Sequence, residues 1–429
     1  MVYMANFLEQ ICDKMKLIFS LITSILILCY SCKQEEIIST NGGYNTNNQE
    51  EPELLWKFPL SPDTTERWSI TPILFNEYIV FTGKIPLAPL PNTVKCIDSI
   101  YLTYLWEADD VFLEDCADMS YTGGSGYGVY QNYMATLCYD KPRVFDLNTG
   151  NVVWDYNPGN GDINMSVWND KFIHTRVVGT NPFTKSAITM SDFDTPDFDT
   201  LYYVDSVDGF SCHLYPPAFM IDDNNDTLIV FQNRQWKSPP YQGKVDLYGY
   251  NISDDTLLWK IESIDDYGSS SVFPPLIDNG NVYFKSDYSV HCINVKTGNE
   301  NWVWESITGS DLLLANLLIA DGKLIVKTGG NELYALSLSS GAVIWENTSA
   351  GLTPEPLTMF EDVIYYVTAD GKLHAVALED GKELWSFESP NNGQAPSYIT
   401  YFYNGISIDP VTKRMYVTDI HYLNCFQLK

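Results

Sequence analysis

A tryptophan returns at a nearly fixed interval through most of this 429-residue chain, ten positions after a small residue and four after a glycine. Ala335, Gly341 and Trp345 set the pattern, and Ala375, Gly381 and Trp385 repeat it. So do Cys292, Gly298 and Trp302, and again Val144, Gly150 and Trp154. Cys96 with Trp106 and Gly249 with Trp259 keep only the ends of the pattern. The steps between tryptophans are 40 (345 to 385), 43 (302 to 345 and 259 to 302), 48 (106 to 154) and 50 (56 to 106). Between Trp154 and Trp259 the step is 105, two units with one tryptophan missing. Asp199-Thr200-Leu201-Tyr202-Tyr203 lines up with Asp255-Thr256-Leu257-Leu258-Trp259, which predicts Tyr203 in the missing place.

Around each copy the residues alternate apolar and polar, the period of a β-strand. The S-S-G, E-D-G, K-T-G and N-T-G stretches read as tight turns in which glycine takes positive φ. Upstream lies a second hairpin, such as 316–327 around Asp321-Gly322, so each unit has four strands. Helical spacing is nowhere sustained. Four-stranded units of this length have the size of propeller blades. The two ends are each incomplete: 405–429 supplies three strands ending at Asn424-Cys425-Phe426, and Glu53 to Phe58 supplies a lone tryptophan strand with Trp56. Together they complete one blade. The expectation is all-β: an eight-bladed β-propeller of four-stranded blades, closed by the N-terminal strand, with no free sheet edge left at the seam.

The spacing resembles the tryptophan-docking motif of the pyrroloquinoline-quinone (PQQ)-like repeat family, A-x-D-x-x-T-G-x-x-x-W. The resemblance implies that each tryptophan packs on the small residue and glycine of a neighbouring blade, forming a girdle from Trp56, Trp106, Trp154, Trp259, Trp302, Trp345 and Trp385. A flat indole needs a partner without a bulky side chain, and its N–H needs an acceptor. Asp98 and Asp146 keep the motif's aspartate; Asn294, Ser337 and Ala377 replace it, which predicts weaker girdle bonding in those blades.

At the N-terminus, Leu17 to Tyr30 follows Met15-Lys16 as a short apolar run, below the roughly 20 residues that span a bilayer. Such a run ending in a small residue marks a secretory signal. Ser31-Cys32 resembles a bacterial lipobox, although Cys29-Tyr30 departs from the usual leucine and small residue. The expected organisation is a signal peptide over 1–31 with Met15 as its true start, a lipidated Cys32 and flexible tether over 32–52, and the propeller over 53–429. Lys33-Gln34-Glu35-Glu36 is open to two readings: it resembles a surface-export signal of some Gram-negative lipoproteins, or it is ordinary linker charge. The chain carries a net charge of −30, which repels nucleic-acid and anionic-lipid phosphates. Nucleic acid is therefore not expected as a partner; membrane contact is expected through the lipid alone.

Quinoprotein dehydrogenases of the same superfamily carry adjacent cysteines in a ring disulfide, a calcium site and a catalytic aspartate. This sequence has no Cys-Cys pair, so no catalytic residue and no cofactor is carried over. His291 and His374 occupy one repeat position, shared with Tyr248 and Tyr334, which favours a structural role over metal binding. Asp222-Asp223-Asn224-Asn225-Asp226 resembles half of a calcium loop but reads as a turn in blade 4. The acidic run Asp192, Asp194, Asp197 and Asp199 reads as a solvated insertion. Cys96, Cys292 and Cys425 fall in the small docking position and are expected as buried thiols. Cys116, Cys138 and Cys212 fall in loops or strand ends, and a Cys116–Cys138 bridge is open to an exported chain.

The long connections 83–94, 107–126, 179–190, 207–217, 232–244 and 388–404 all map to one face of the ring. They carry Tyr121, Tyr127, Trp236, Tyr241, Tyr398, Tyr401 and Tyr403, an aromatic composition common in binding surfaces. The leading expectation is a non-catalytic envelope lipoprotein, a scaffold binding a protein or glycan on the periplasmic or cell-surface side of the outer membrane. A second reading, by resemblance, is the propeller lipoprotein that assists outer-membrane protein assembly. A third is a PQQ-dependent dehydrogenase, which would show dye-coupled activity after addition of PQQ and calcium.

Overall fold

The computed structural model describes residues 50–429 apart from 61–70, 84–92, 110–126, 139–140, 156–161, 179–182, 239–240, 267, 269–270, 272, 313–314, 353–355 and 394–399. Its strands form eight antiparallel sheets arranged as an eight-bladed propeller. Blades 1 to 7 occupy Ile73–Asp109, Tyr127–Asp155, Asp162–Asp205, Ser211–Asp265, Leu276–Glu305, Leu318–Asn347 and Thr358–Glu388. In each, the chain runs from the innermost strand to the outermost. Blade 8 takes its inner three strands from Phe402–Gln427 and its outer strand from Glu53–Pro59. The expected closure is therefore present: Trp56 lies opposite Cys425 and Glu53 opposite Gln427 in the antiparallel pair.

A buried carboxylate fastens this seam. Asp419 is fully buried; its Oδ2 accepts from Ser389 Oγ (2.7 Å), Asn391 Nδ2 (2.6 Å) and Asn424 Nδ2 (3.0 Å). Its Oδ1 accepts from the His421 and Tyr422 amides at 2.9 and 2.8 Å. Lys57, on the closing strand, donates to Asn391 Oδ1 and rests over the Tyr422 ring. The cluster thus joins the N-terminal strand, blade 8 and the link from blade 7.

The core lies between sheets, because each strand sends alternate side chains to opposite neighbours. In blade 5, Val282 and Phe284 pack toward blade 4, while Tyr283 packs toward blade 6. Eight hydrophobic clusters result, one for each blade interface.

The girdle differs from the expected one in which partner each tryptophan meets. The small residue is the cross-strand partner of the tryptophan within one sheet: Cys96 with Trp106, Cys292 with Trp302, Ala335 with Trp345. The next blade supplies the glycine and the acceptor. A Cβ added to Gly341 would lie 2.6 Å from Trp302 Cε3, so the turn must approach the indole as glycine, at φ +69°. The indole N–H then donates to the carbonyl three residues after that blade's small position. Trp106 bonds Leu147 O (2.8 Å), Trp259 bonds Val295 O (2.7 Å), Trp302 bonds Leu338 O (2.9 Å) and Trp345 bonds Leu378 O (2.9 Å). Bonds into the blades with Ser337 and Ala377 are about as short as the rest, so loss of the aspartate does not weaken the girdle. That position caps its own turn instead. Asp98 and Asn294 each accept amides two and three residues ahead.

Blade 3 brings two corrections. Tyr202, not Tyr203, takes the missing tryptophan place. Tyr202 pairs with Ile188 and packs against Phe231, Tyr248 and Tyr250 of blade 4, whereas Tyr203 is 62% exposed. The acidic insertion is also more than solvated charge. Phe193 is buried and offers its carbonyl to the Trp154 indole (2.9 Å), while Phe198 packs edge-on to that ring. Two phenylalanines here replace the glycine turn.

Blade 4 departs from four strands. Ser211–Leu214 and Ala218–Ile221 both pair with Thr227–Lys237, so the innermost position is split at Tyr215-Pro216-Pro217. Its three outer strands have 11, 10 and 10 residues against 5, 6 and 6 in blade 5. Most of 232–244, read from sequence as a loop, is therefore a hairpin, and 185–190 is likewise strand. The 222–226 turn closes on itself: Asp222 Oδ1 accepts the Asn224 and Asp226 amides, and Lys296 pairs with Asp222 and Asp223.

Candidate functional site on the loop face of blade 4

In an antiparallel meander, connections alternate between the two faces of the ring. One face carries the tight turns within the first and last hairpins of each blade. The other carries the middle loops and the links between blades. The lengthened hairpin of blade 4 extends on this loop face, and its strands position the site.

Arg234 sits at the centre. It is half-buried, opposite His213 in the sheet, and its Nε donates to Gly268 O at 2.6 Å. Its guanidinium lies 5.0 Å from the centre of the Trp236 ring. Burial by itself would lower the Arg234 pKa, but the hydroxyls of Tyr215 and Tyr241, hydrogen-bonded to it, outweigh burial and raise it. Trp236 also meets Phe183 edge-on at 5.7 Å. His213 stacks on Tyr215 (4.3 Å) and approaches Asn164 of blade 3 through Nε2 (3.2 Å). Burial, helped by Arg234, pushes His213 down to about 3, so it is neutral at physiological pH. Lys237 places its ammonium 4.3 Å from the centre of the Phe210 ring. Among the described residues neither Arg234 nor Lys237 forms an ion pair.

The sequence-predicted residues divide accordingly. Trp236 and Tyr241 come together around Arg234. Tyr401 packs on Gly371 in the link to blade 8, across the ring from blade 4. Tyr403 lies in the innermost strand of blade 8. Tyr127 opens the innermost strand of blade 2, but its side chain, like that of Cys138, is outside the described residues, as are Cys32, Cys116, Tyr121 and Tyr398. Arg234, Tyr215 and His213 were missed. The one signal for them was the basic and aromatic run Arg234-Gln235-Trp236-Lys237 in so acidic a chain.

Elsewhere the polar groups serve the fold. His291 and His374 each meet a glutamate of the outer strand through Nδ1, Glu300 at 2.9 Å and Glu383 at 2.8 Å. Among the described residues no group of three His, Cys, Asp or Glu side chains is placed to hold a metal. Cys96, Cys212, Cys292 and Cys425 are buried free thiols. Burial first, with Asp98 adding to it, pushes Cys96 up to about 12; burial likewise pushes Cys425 up to about 12. A thiol held protonated is a poor nucleophile.

A family profile described as outer membrane protein assembly factor BamB matches residues 303–402, which include the Trp345 and Trp385 repeats. The protein of that name from Nitrosomonas eutropha is 26% identical over 133 residues. That alignment spans 31% of this chain and 31% of the relative, so the chain matches under a third of the curated protein's length. The chain has a β-propeller fold consistent with the PQQ-like repeat type, which its 303–402 segment resembles. Solved structures of such propellers superpose over nearly all of it. BamB from Moraxella catarrhalis gives a TM-score of 0.54 at 16% identity, over 89% of this chain and 98% of that one. The quinohemoprotein alcohol dehydrogenase from Comamonas testosteroni gives 0.60 at 12% identity, over 90% of this chain and 77% of that one. Proteins with different tasks thus share the architecture, and at these identities the likeness speaks for the fold alone.

Proposed function

We propose that this PQQ-type propeller is a non-catalytic scaffold of the cell envelope, held at the outer membrane by a lipid on Cys32, that binds a protein partner with its loop face. The observation carrying this reading is the asymmetry of blade 4. Among the described residues, blade 4 has the longest strands, and its extended hairpin gathers aromatic and cationic side chains on the loop face.

The match over 303–402 favours a narrower second reading, in which the partner belongs to the outer-membrane protein assembly machinery. One experiment tests both. A photo-reactive phenylalanine analogue replaces Tyr241 on the loop face or Val411 on the turn face, where Val411 is 88% exposed. Intact cells are irradiated and the adducts identified by mass spectrometry, with protease shaving to fix the side of the membrane. The scaffold reading expects protein adducts from position 241 and few from 411. Equal adducts from both, or none from 241, would refute it. Adducts to an assembly barrel, with protection from shaving, would select the second reading.

A further inference from the structure

We infer that the blade 4 site binds a carboxylate-bearing segment of a partner polypeptide, with Arg234 as its fixed cation, Lys237 adding positive charge from the other side of the same hairpin, and Tyr215 and Tyr241 as oriented hydroxyl donors. This rests on the reading of the loop face as a protein-binding face.

Charge supplies the first argument. The chain has 55 acidic side chains for 25 lysines and arginines, so most cations should find a carboxylate. Arg234 and Lys237 stand three residues apart on one strand, and among the described residues neither pairs with one. Lys244 and Lys260, on the two outer strands of the same blade, both reach Asp246, at 3.8 and 3.1 Å. Within blade 4 the described cations without a carboxylate are thus those at the crown of the hairpin.

The second argument is preorganisation. Arg234 is fixed by Gly268 O, by the Trp236 ring and by two phenols. A guanidinium held in place loses little further freedom on binding an anion, and a carboxylate matches its fork of N–H donors. A phenol that accepts from a guanidinium becomes a stronger donor toward an anion. Tyr241 is 57% exposed and stands at the rim, while Tyr215 is buried beneath.

The third argument selects a peptide over an acidic sugar. Sugar recognition by aromatics needs open ring faces. Here Arg234 lies over Trp236, Tyr215 covers His213, and Lys237 lies over Phe210. Trp236 and Phe210 each have a face against a cation, and Tyr215 is stacked on the neutral His213. What remains for a ligand is cationic charge, phenolic O–H groups and the apolar edge at Val207, 61% exposed in the same loop as Phe210.

The test uses the full propeller and a short fluorescein-labelled peptide of alternating glutamate and phenylalanine, read by anisotropy at low and at physiological salt. Its glutamine counterpart and an oligogalacturonate are the controls. The inference expects the glutamate peptide to bind at least about tenfold tighter than the glutamine one, with the margin shrinking as salt rises. Arg234→Gln should abolish that margin. Arg234 also supports the link at Gly268, so the outer variants Lys237→Ala and Tyr241→Phe provide the independent readout. Each should weaken the glutamate peptide about threefold and leave the glutamine peptide unchanged. Equal binding of the two peptides, no binding of either, or displacement by oligogalacturonate at lower concentration than by unlabelled peptide would overturn it. Protein adducts at position 241 with no peptide selectivity would sink the carboxylate assignment and leave the scaffold reading intact. Selectivity without adducts would do the reverse.

Discussion

Blades 5 to 7 and blades 3 to 4 solve the same packing problem by different means. In blades 5 to 7 each turn brings a glycine beneath the preceding tryptophan, the innermost strand has three residues, and the sheets differ little. In blades 3 and 4 a tyrosine replaces one tryptophan, two phenylalanines replace one glycine turn, and the innermost strand is broken by two prolines. The first group spends its sequence on closing the ring. The second retains closure with bulkier substitutes and extends strands beyond the ring. Regularity marks the scaffold, and departure from it marks the surface proposed for recognition.

The contrast breaks most easily at the girdle. Gly341→Val should cost about 4 kcal/mol, because a Cβ would meet Trp302 at a backbone angle that a β-branched residue avoids. Gly322→Ala, also at positive φ but with nothing within 4 Å, should cost only about 1 kcal/mol. Denaturant midpoints compare the two, and equal losses would show that the indole contact contributes nothing. Close behind comes the seam. Asp419→Ala strands the donors of Ser389, Asn391 and Asn424, and should cost about 3 kcal/mol by the same measurement.

Blade 3 then sharpens the comparison. Tyr202→Ala should cost about 3 kcal/mol and Tyr203→Ala under about 0.5 kcal/mol, since only the former fills the tryptophan place. The reverse order would restore the register read from sequence.

A subtler difference lies within the regular group. Lys285 of blade 5 is buried and donates to Leu312 O and Ala315 O. Burial outweighs the attraction of Asp311 and pushes its pKa down from 10.5 to about 7. Below about 7 the amine is charged in both states and the fold bears the full cost of burying that charge. Between about 7 and 10.5 the folded chain has released a proton that the unfolded chain retains, so this contribution makes stability rise with pH. The raised Cys96 and Cys425 thiols act oppositely, losing stability as pH climbs past about 9. Subtracting the pH profile of Lys285→Met from that of the parent isolates the lysine. The difference should favour the variant at pH 6 and vanish near pH 10.5; a flat difference would contradict the burial account. At the smallest end, Tyr241→Phe should change stability by less than about 0.5 kcal/mol, in keeping with a rim residue.

What the sequence revealed follows the same division. The small residue, glycine and tryptophan at fixed spacing disclosed the strands, the blade count and the shared blade at the ends, because each spacing reflects one sheet geometry. Trp56 against Cys425 was legible without any contact between them in sequence. The replacement for the missing tryptophan was misread by one position because the 192–199 insertion moves the bulge. The pairing shift falls between Ile188 and Thr189, and a one-residue change sends every side chain to the other side of the sheet. The blade 4 hairpin was taken as loop because Ser238-Pro239-Pro240 and Gly243 have turn composition. Arg234 was invisible for a different reason. Its partners Tyr215, Tyr241 and Gly268 come from three separate connections, and only the fold brings them together.

The shared blade admits the most direct test. Cysteines replacing Glu53 and Gln427, which face each other across the closing pair, are exposed to a mild oxidant at low protein concentration. The closed ring predicts a fast intramolecular disulfide, seen as a mobility shift on a non-reducing gel, in a protein that stays monomeric. Thiols that remain reduced, or that join only between separate chains, would contradict it.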